Sequence, residues 1–237
     1  MSAARSASQS DRTRAILEDL EAVRENLLAL SDDIWLSIDH NDPDALESGV
    51  AFKRAYNSKA AAFDQLASEL SVLVQQFTSV RLEAGEESGS EDHEQNERIF
   101  RDLSREVPHS LGEDFTYKRP HGFILSGQAA SGISTWQRLY ELACRQLLQR
   151  DAARFASLVD HVDFISNRGN HSMARDPSEL RSALEIGNGL FVECNLSANG
   201  IRDMLRRFLV AFEIDPAELK IFLRQDRDAG RADRLES

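Results

Sequence analysis

The first third of the chain has apolar residues spaced alternately four and three positions apart. The series is Ile16, Leu20, Val23, Leu27, Leu30 and Ile34. This heptad spacing places the side chains along one stripe of an α-helix, the pattern by which helices pack knobs into holes. The series is shorter than three full heptads, and it predicts one long helix that packs against a neighbouring helix.

A second long helix is predicted after a break at residues 39–41. Asp42-Pro43 supplies an N-cap and a first-turn proline. Apolar residues then recur at Leu46, Val50, Tyr56, Phe63, Leu66, Leu70, Leu73, Phe77 and Val80. Because the connection is short, the two helices should form an antiparallel hairpin.

An isolated helical hairpin buries little apolar surface, so its remaining apolar face should meet something else. We expect that face to meet another copy of the chain, which makes residues 10–83 a homo-oligomerisation module. Packing of the same face against the C-terminal half of the chain is the alternative.

Composition and charge limit the kinds of partner. With 41% hydrophobic and 29% charged residues among 237, the chain is typical of a soluble globular protein. Its net charge of −12 argues against general nucleic-acid affinity, which depends on Lys and Arg. Residues 1–114, however, hold 24 of the 40 acidic residues and 11 of the 28 basic ones. Only the C-terminal half is therefore electrostatically suited to a polyanion.

The sequence also predicts a compartment. Cys144 and Cys194 show neither metal-ligand spacing nor a disulfide framework, which favours a reducing environment. The first ten residues lack an apolar core, and no apolar run approaches the roughly 20 residues needed to cross a bilayer. We therefore expect a cytoplasmic protein with no membrane partner.

These patterns divide the chain into three parts. Residues 1–83 form the hairpin, 84–111 an acidic linker with a short helix near 99–107, and 112–237 a small α+β domain. In that domain the sequence predicts a strand ending at Leu125, a turn over 127–132 and a helix capped by Ser134. The fold class is mainly α: an N-terminal α-helical hairpin or coiled coil plus a small C-terminal α+β domain.

The richest motif runs from Phe191 to Phe208. A short apolar strand ends in the turn Asn195-Leu196-Ser197-Ala198-Asn199, and the next helix carries Arg202, Arg206 and Arg207. Asn and Ser side chains offer donors and acceptors at short reach, and the first helical turn has unpaired N–H groups. The motif thus suits a polar or anionic partner, although Ser197 or Asn199 could equally be helix caps.

The order of motifs in residues 135–220 resembles the DNA-binding domain of the SeqA family, bacterial regulators that bind hemimethylated GATC sites. The matching segments are Leu139-Tyr140, Asp151 to Phe155, Arg168-Gly169-Asn170, Val192 to Asn199, and Phe212 to Leu219. The resemblance implies duplex DNA as partner. It also implies an architecture in which an oligomerising helical module is joined to a DNA-binding domain.

Matched residue by residue, the resemblance implies that Arg168 corresponds to the family's first loop arginine. It likewise implies that Asn195 corresponds to the family's first base-contacting asparagine. Asn170 and Ser197 stand where the family has a second arginine and a second asparagine, so methyl-adenine recognition does not follow. The full predicted DNA-binding set is Arg168, Asn170, His171, Asn195, Ser197, Asn199, Arg202 and Arg206. An asparagine side chain can form two hydrogen bonds with adenine, and an arginine can bind guanine or phosphate, so both residue types suit contacts with DNA.

Enzymatic function has less support. The chain has no GxxxxGK[ST], GxGxxG or GxSxG motif, and we expect a non-enzymatic protein without cofactor or metal. A metal-dependent nuclease with Glu218, Lys220 and either Asp203 or Glu193 is a minor alternative. The chief alternative is an adaptor that binds another protein and whose SeqA-like domain no longer contacts DNA.

Overall fold

The computed structural model describes residues 2–78, 80, 86–87, 93–166 and 169–225. The chain divides into two compact units, residues 1–84 and 85–237. Within the described parts of the chain, no helix combines the length and the apolarity needed to cross a membrane.

The first unit is a helical hairpin. Helix α1 covers Ser2–Ser37 and α2 covers Pro43–Thr78. Asp42 begins α2 as predicted, since its carboxylate accepts from the Asp44 N–H at 3.0 Å and its carbonyl from the Leu46 N–H at 2.9 Å. The prediction of two long helices joined by a short connection is confirmed.

Small and polar residues bring the two helices together. A Cβ at Gly49 would lie 2.5 Å from the Ile38 side chain, so Ile38 could pack here against a larger residue only after its side chain shifts. The Tyr56 hydroxyl donates to the Leu27 carbonyl at 2.8 Å, and Arg24 Nε donates to Asp64 at 2.6 Å. These pairs fix an antiparallel register along the hairpin.

The second unit mixes short strands with helices. In chain order its elements are β1 (Glu86–Glu87), α3 (His93–Leu103), β2 (Pro120–Leu125), β3 (Gln128–Ser131), α4 (Trp136–Arg150), α5 (Ala152–Ser157), β4 (Met173–Ala174), β5 (Ala183–Gly187), β6 (Leu190–Glu193), α6 (Ala198–Ala211) and β7 (Lys220–Leu223). This agrees with a mainly α chain that carries a small C-terminal α+β region.

Two antiparallel sheets organise the unit. The first has the strand order β1-β3-β2-β7, with Phe123 opposite Ala130 and Ile221. The second has the order β4-β6-β5, with Val192 between Met173 and Leu184. Helices α4 and α6 pack against each other, and α4 also contacts β2 and β5, so α4 is the central helix of the unit.

Aromatic side chains fill the core. Phe208 of α6 lies parallel to Phe155 at a centroid distance of 5.3 Å and contacts Phe164 at 4.7 Å. Trp136 is fully buried and donates from Nε1 to the Lys118 carbonyl at 2.8 Å. Such pairs satisfy the indole N–H while burying large apolar areas. The core therefore holds α6 and the segment before it in a fixed position.

The structure differs from the sequence-based expectation at three places. The short helix predicted near 99–107 begins and ends earlier, since α3 covers His93–Leu103, and it packs on the first sheet with Ile99 and Leu103 buried. Strand β3 occupies most of the predicted turn, because Ser126 and Gly127 take positive φ values and close a tight two-residue turn. Thr135, not Ser134, caps α4 by accepting from the Arg138 N–H.

Candidate interaction surfaces

Three of the predicted DNA-binding residues come together where the second sheet ends. Ser172 lies opposite Glu193, since the Glu193 N–H donates to its carbonyl at 3.0 Å. Asn170 and His171 precede Ser172, and Asn195 follows Glu193, so both segments leave the sheet at the same edge. We call Asn170, His171 and Asn195 the sheet-end surface. Local sequence motifs could not predict this proximity, because it is created by the pairing of β4 with β6.

Glu193 organises this edge. Its carboxylate accepts backbone hydrogen bonds from Arg181 at 2.8 Å, from Ser182 at 3.2 Å and from Asn195 at 2.8 Å. One side chain thereby ties the turn before β5 to the turn after β6. The backbone of Asn195 is held, and its half-exposed side-chain amide makes no hydrogen bond to another described residue.

The other strand of the surface is held by a turn. The Asn170 N–H donates to Ser166 Oγ at 3.0 Å, and the Ser166 N–H donates to the Asn170 carbonyl at 2.9 Å. The Asn170 side chain is exposed. His171 Nδ1 is a buried atom without a hydrogen-bond partner among the described residues. Arg168, the predicted loop arginine, lies outside the described residues.

Ser197 is the N-cap of α6. Its side chain accepts from the Gly200 N–H at 3.3 Å, which is the helix-cap alternative raised by the sequence. A hydroxyl in that role satisfies one of the free N–H groups of the first turn. The role of Ser197 in the structure is therefore to begin the helix.

Asn199 faces the loop before β2 and not the sheet-end surface. Its side-chain oxygen accepts from the Phe115 N–H at 2.9 Å, and its Nδ2 donates to the Asp114 carboxylate at 2.7 Å and to Thr116 Oγ1 at 2.9 Å. An amide that bridges a backbone N–H and a carboxylate in this way fixes the loop on the start of α6.

The two arginines predicted to contact phosphate bind the same loop. Arg202 donates to the Glu113 carbonyl at 2.8 Å and forms an ion pair with Asp203 at 2.8 Å. Arg206 donates to the Leu111 carbonyl. Both guanidinium groups are thus used to close the loop onto α6, although guanidinium has further N–H donors that these bonds leave open.

The loop is acidic where Asn199 and Arg202 meet it. Hydrogen bonds from Thr116 and Asn199 lower the pKa of Asp114 to about 2. A hydrogen bond with His109, 2.7 Å away, lowers the pKa of Glu113. Both carboxylates are therefore charged near neutral pH, and they offset the positive charge of the arginines toward a polyanion.

The residues of the nuclease alternative are engaged elsewhere. Glu193 is committed to three backbone N–H groups, Asp203 pairs with Arg202, and Glu218 accepts from Ser126 Oγ at 3.0 Å. No cluster of three or more metal-ligating side chains occurs in the described ranges. This geometry gives the nuclease alternative no added support.

The hairpin carries a second candidate surface. Among the described side chains of its helices, ten large apolar residues are exposed, of which Leu36 and Val72 lie on another side. We call the other eight the open face: Ile16, Val23, Leu30, Phe52, Leu66, Leu70, Leu73 and Phe77. Ile16 is 66% exposed, whereas its neighbour Leu17 is 2% exposed. Half of the predicted heptad stripe is therefore turned to solvent instead of toward α2.

Helix geometry places these residues on one face. On both helices the exposed residue comes one position before a residue that contacts the other helix or is buried: Val23 before Arg24, Leu30 before Ser31, Phe52 before Lys53, Leu66 before Ala67, Leu70 before Ser71. Consecutive residues are about 100° apart around a helix. Because the helices have the same hand and run antiparallel, an equal offset puts both stripes on the same side of the hairpin.

Comparison of the chain with family models, with curated proteins and with solved structures found no match. The resemblance to the SeqA family therefore depends on the motifs quoted above.

Proposed function

We propose that this protein is a self-associating adaptor, which assembles through the open face of the hairpin and so presents its second unit in more than one copy. The observation that carries the proposal is the open face itself. Soluble proteins seldom leave a contiguous apolar patch of several hundred Å² exposed unless it binds a partner. Here the patch follows helical periodicity on two helices, which is the pattern of a helix-bundle interface.

Self-association through the hairpin would raise the avidity with which the second unit binds a partner. A weak binding surface on the second unit gains effective concentration when two copies are tethered together. The acidic loop and the internal bonds of Asn199, Arg202 and Arg206 favour a protein partner over a general polyanion. The adaptor function needs no catalytic group.

The test is the oligomeric state of the full chain by light scattering coupled to size exclusion. The double substitution Leu70→Glu/Leu73→Glu places charges within the open face and should convert the assembly to monomer. Val72→Glu is the matched control. Val72 is 52% exposed, but it follows Ser71 and so lies about 100° to the other side of the contact line.

An assembly for the parent chain and Val72→Glu, with a monomer for the double variant, is the expected result. Circular dichroism should show unchanged helix content in all three. A monomeric parent chain at micromolar concentration would reject the proposal. So would equal disruption by Val72→Glu, because the apolar face would then not be the determinant.

Duplex DNA binding by the sheet-end surface is the second candidate function. It is favoured by one observation: the sheet brings Asn170, His171 and Asn195 to the same edge, as the resemblance requires. Asn195 carries the free amide needed for bidentate contact with adenine. In this form the DNA surface is narrower than the sequence predicted, because Asn199, Arg202 and Arg206 bind the loop at 111–116.

Fluorescence anisotropy tests this function with the full chain against unmethylated, hemimethylated and fully methylated GATC duplexes at two salt concentrations. DNA binding should weaken steeply with salt. Asn195→Ala should reduce discrimination between a GATC duplex and a duplex of unrelated sequence by about 1–3 kcal/mol. Absence of binding in every methylation state at low salt would remove this candidate and leave the adaptor.

A further inference from the structure

The apolar residues of the open face are distributed unevenly along the hairpin. On α2, four of them fall between Leu66 and Phe77, at the end away from the connecting loop. Toward the loop, α2 contributes Phe52 together with the exposed and charged Lys59. The register pairs Arg24 with Asp64 and Leu27 with Tyr56, so Ile16 lies level with the neighbourhood of Leu70. The most apolar half of the face is therefore the half distant from the loop.

We infer that a second copy of the same chain covers the open face in a two-fold four-helix bundle whose axis runs parallel to the helices, with both loops at one end. This inference rests on the proposed self-association. It specifies the number of copies and the orientation of the pair, neither of which follows from self-association alone.

The size of the face agrees with a second copy as occupant. Helices of 36 residues are about 54 Å long at 1.5 Å per residue, and two helices side by side are about 18–20 Å wide. The face thus offers about 1,000 Å² per copy, close to the roughly 800 Å² per partner of a standard stable interface. A two-fold interface also requires one self-complementary patch, which an apolar face supplies to itself.

The distribution of apolar residues selects the axis. With the axis parallel to the helices, α1 of one copy lies over α2 of the other, and the apolar halves coincide. Ile16 then meets the partner's segment around Leu70, and Leu30 meets the segment around Tyr56. With the axis perpendicular to the helices, the Leu66 to Phe77 segment would face the partner's segment around Phe52 and Lys59. That arrangement would place the two most apolar halves at opposite ends of the pair, each against the partner's less apolar half, so less apolar area would be removed from water by apolar contacts.

A staggered pair is the remaining arrangement. Two copies could overlap only through the Leu66 to Phe77 segments, with loops pointing in opposite directions. Leu30 and Phe52 would then stay exposed in both copies, so less apolar area would be removed from water. Only the parallel axis both covers the face from end to end and places the two most apolar halves against each other.

Distances between paired spin labels distinguish the three arrangements. Asn41→Cys places a label in the loop, and Gln76→Cys places one near the other end of α2; both positions are exposed. The native Cys144 and Cys194 are buried, and the labelled parent chain measures their background. Double electron–electron resonance on each full-length variant then gives the distance between the two copies.

We expect both label pairs to be closer than about 30 Å, given helix spacings of 8–10 Å plus label length. A perpendicular axis puts both pairs about 50 Å apart or more, and a staggered pair gives a short distance at Gln76 with a long one at Asn41. Either of those results in a dimer overturns the inference and leaves self-association intact. A monomer by light scattering removes both.

Discussion

The Asn199 side chain donates a hydrogen bond to the Asp114 carboxylate at 2.7 Å and so joins the first turn of α6 to a loop 85 residues earlier. The same amide accepts from the Phe115 N–H, and Arg202 donates to its oxygen at 3.1 Å. A residue that the sequence indicated as a possible contact to DNA thus belongs to the internal framework of the second unit. The side chain of Asn195, four positions earlier, does not belong to this framework.

Asn199→Ala should therefore destabilise the fold, while Asn195→Ala should not. Loss of Asn199 leaves the Phe115 N–H and Asp114 without their partner, which costs about 1–3 kcal/mol of unfolding free energy. Asn195→Ala removes a half-exposed amide and should stay within about 0.5 kcal/mol. Urea unfolding followed by tryptophan fluorescence measures both. Equal stability of the two variants would contradict the assignment of Asn199 to the framework.

Arg206→Ala should also destabilise the fold, as Asn199→Ala does. The guanidinium donates to the Leu111 carbonyl, and its loss should lower the unfolding free energy by about 1 kcal/mol. Arg207→Ala is the control on the same helix, because the contacts of Arg207 with described residues are long, 3.4 Å to the Asp163 carbonyl and 3.9 Å to the Met204 sulfur. Thermal denaturation should separate the two variants. A larger loss in Arg207→Ala would show that the contact with Leu111 contributes little.

Local signals predicted the hairpin well, because its limits depend on residues that are adjacent in sequence. Asp42-Pro43 begins α2, and the apolar residues recur along most of α2; α1, however, begins at Ser2, well before the first heptad residue Ile16. The contact between the helices could not be predicted in the same way. Gly49, Ala67 and Ser71 are buried there, and small residues give no hydrophobic signal. As a result, some of the larger apolar residues of the heptad stripe lie in the contact between the two helices, and the others lie on the open face.

The second unit was harder to predict because its decisive contacts are distant in sequence. Asn199 and Arg206 bind residues 84 and 95 positions away, respectively, which no local pattern reveals. One missed element did have a signal. Asn188-Gly189 takes positive φ at both residues and joins β5 to β6, and Asn-Gly is a strong indication of a two-residue hairpin turn.

Stability should decrease at low pH in a manner that depends on Asp114. Its pKa is about 2 in the folded chain because Thr116 and Asn199 donate to the carboxylate, and it is near 3.9 in an unfolded chain. Since the folded pKa is the lower one, the contribution of Asp114 is fully present above the unfolded value. It is lost progressively as the pH falls from about 4 toward 2.

Asp114→Asn should show a smaller loss of stability between pH 5 and pH 2.5 than the parent chain. The measurement is the urea midpoint at each pH. Asp160→Asn serves as control, because this exposed carboxylate has no comparable hydrogen bonds to described residues. If Asp114→Asn and the parent chain have the same pH dependence, the charged form of Asp114 is not stabilised by its neighbours.

The polar contact inside the hairpin gives a prediction for the first unit. Arg24 pairs with Glu21 at 2.6 Å and with Asp64, and both Arg24 and Glu21 are largely buried. Burial raises the pKa of Glu21, while Arg24 acts in the opposite direction. Arg24→Leu should therefore leave two carboxylates without a cation and lower the unfolding free energy at pH 7 by about 1–3 kcal/mol.

The pH dependence identifies the cause of that loss. Without Arg24 the folded pKa of Glu21 rises further above its unfolded value of about 4.3, so stability is retained below that value and is lost as the pH rises from it through the folded pKa. Arg24→Leu should thus be closest to the parent chain near pH 4. Adding Glu21→Gln and Asp64→Asn removes both charges and should recover part of the stability at pH 7. Chemical denaturation at both pH values is the measurement, and a loss that is independent of pH and is not recovered by these additions would assign Arg24 a packing role instead.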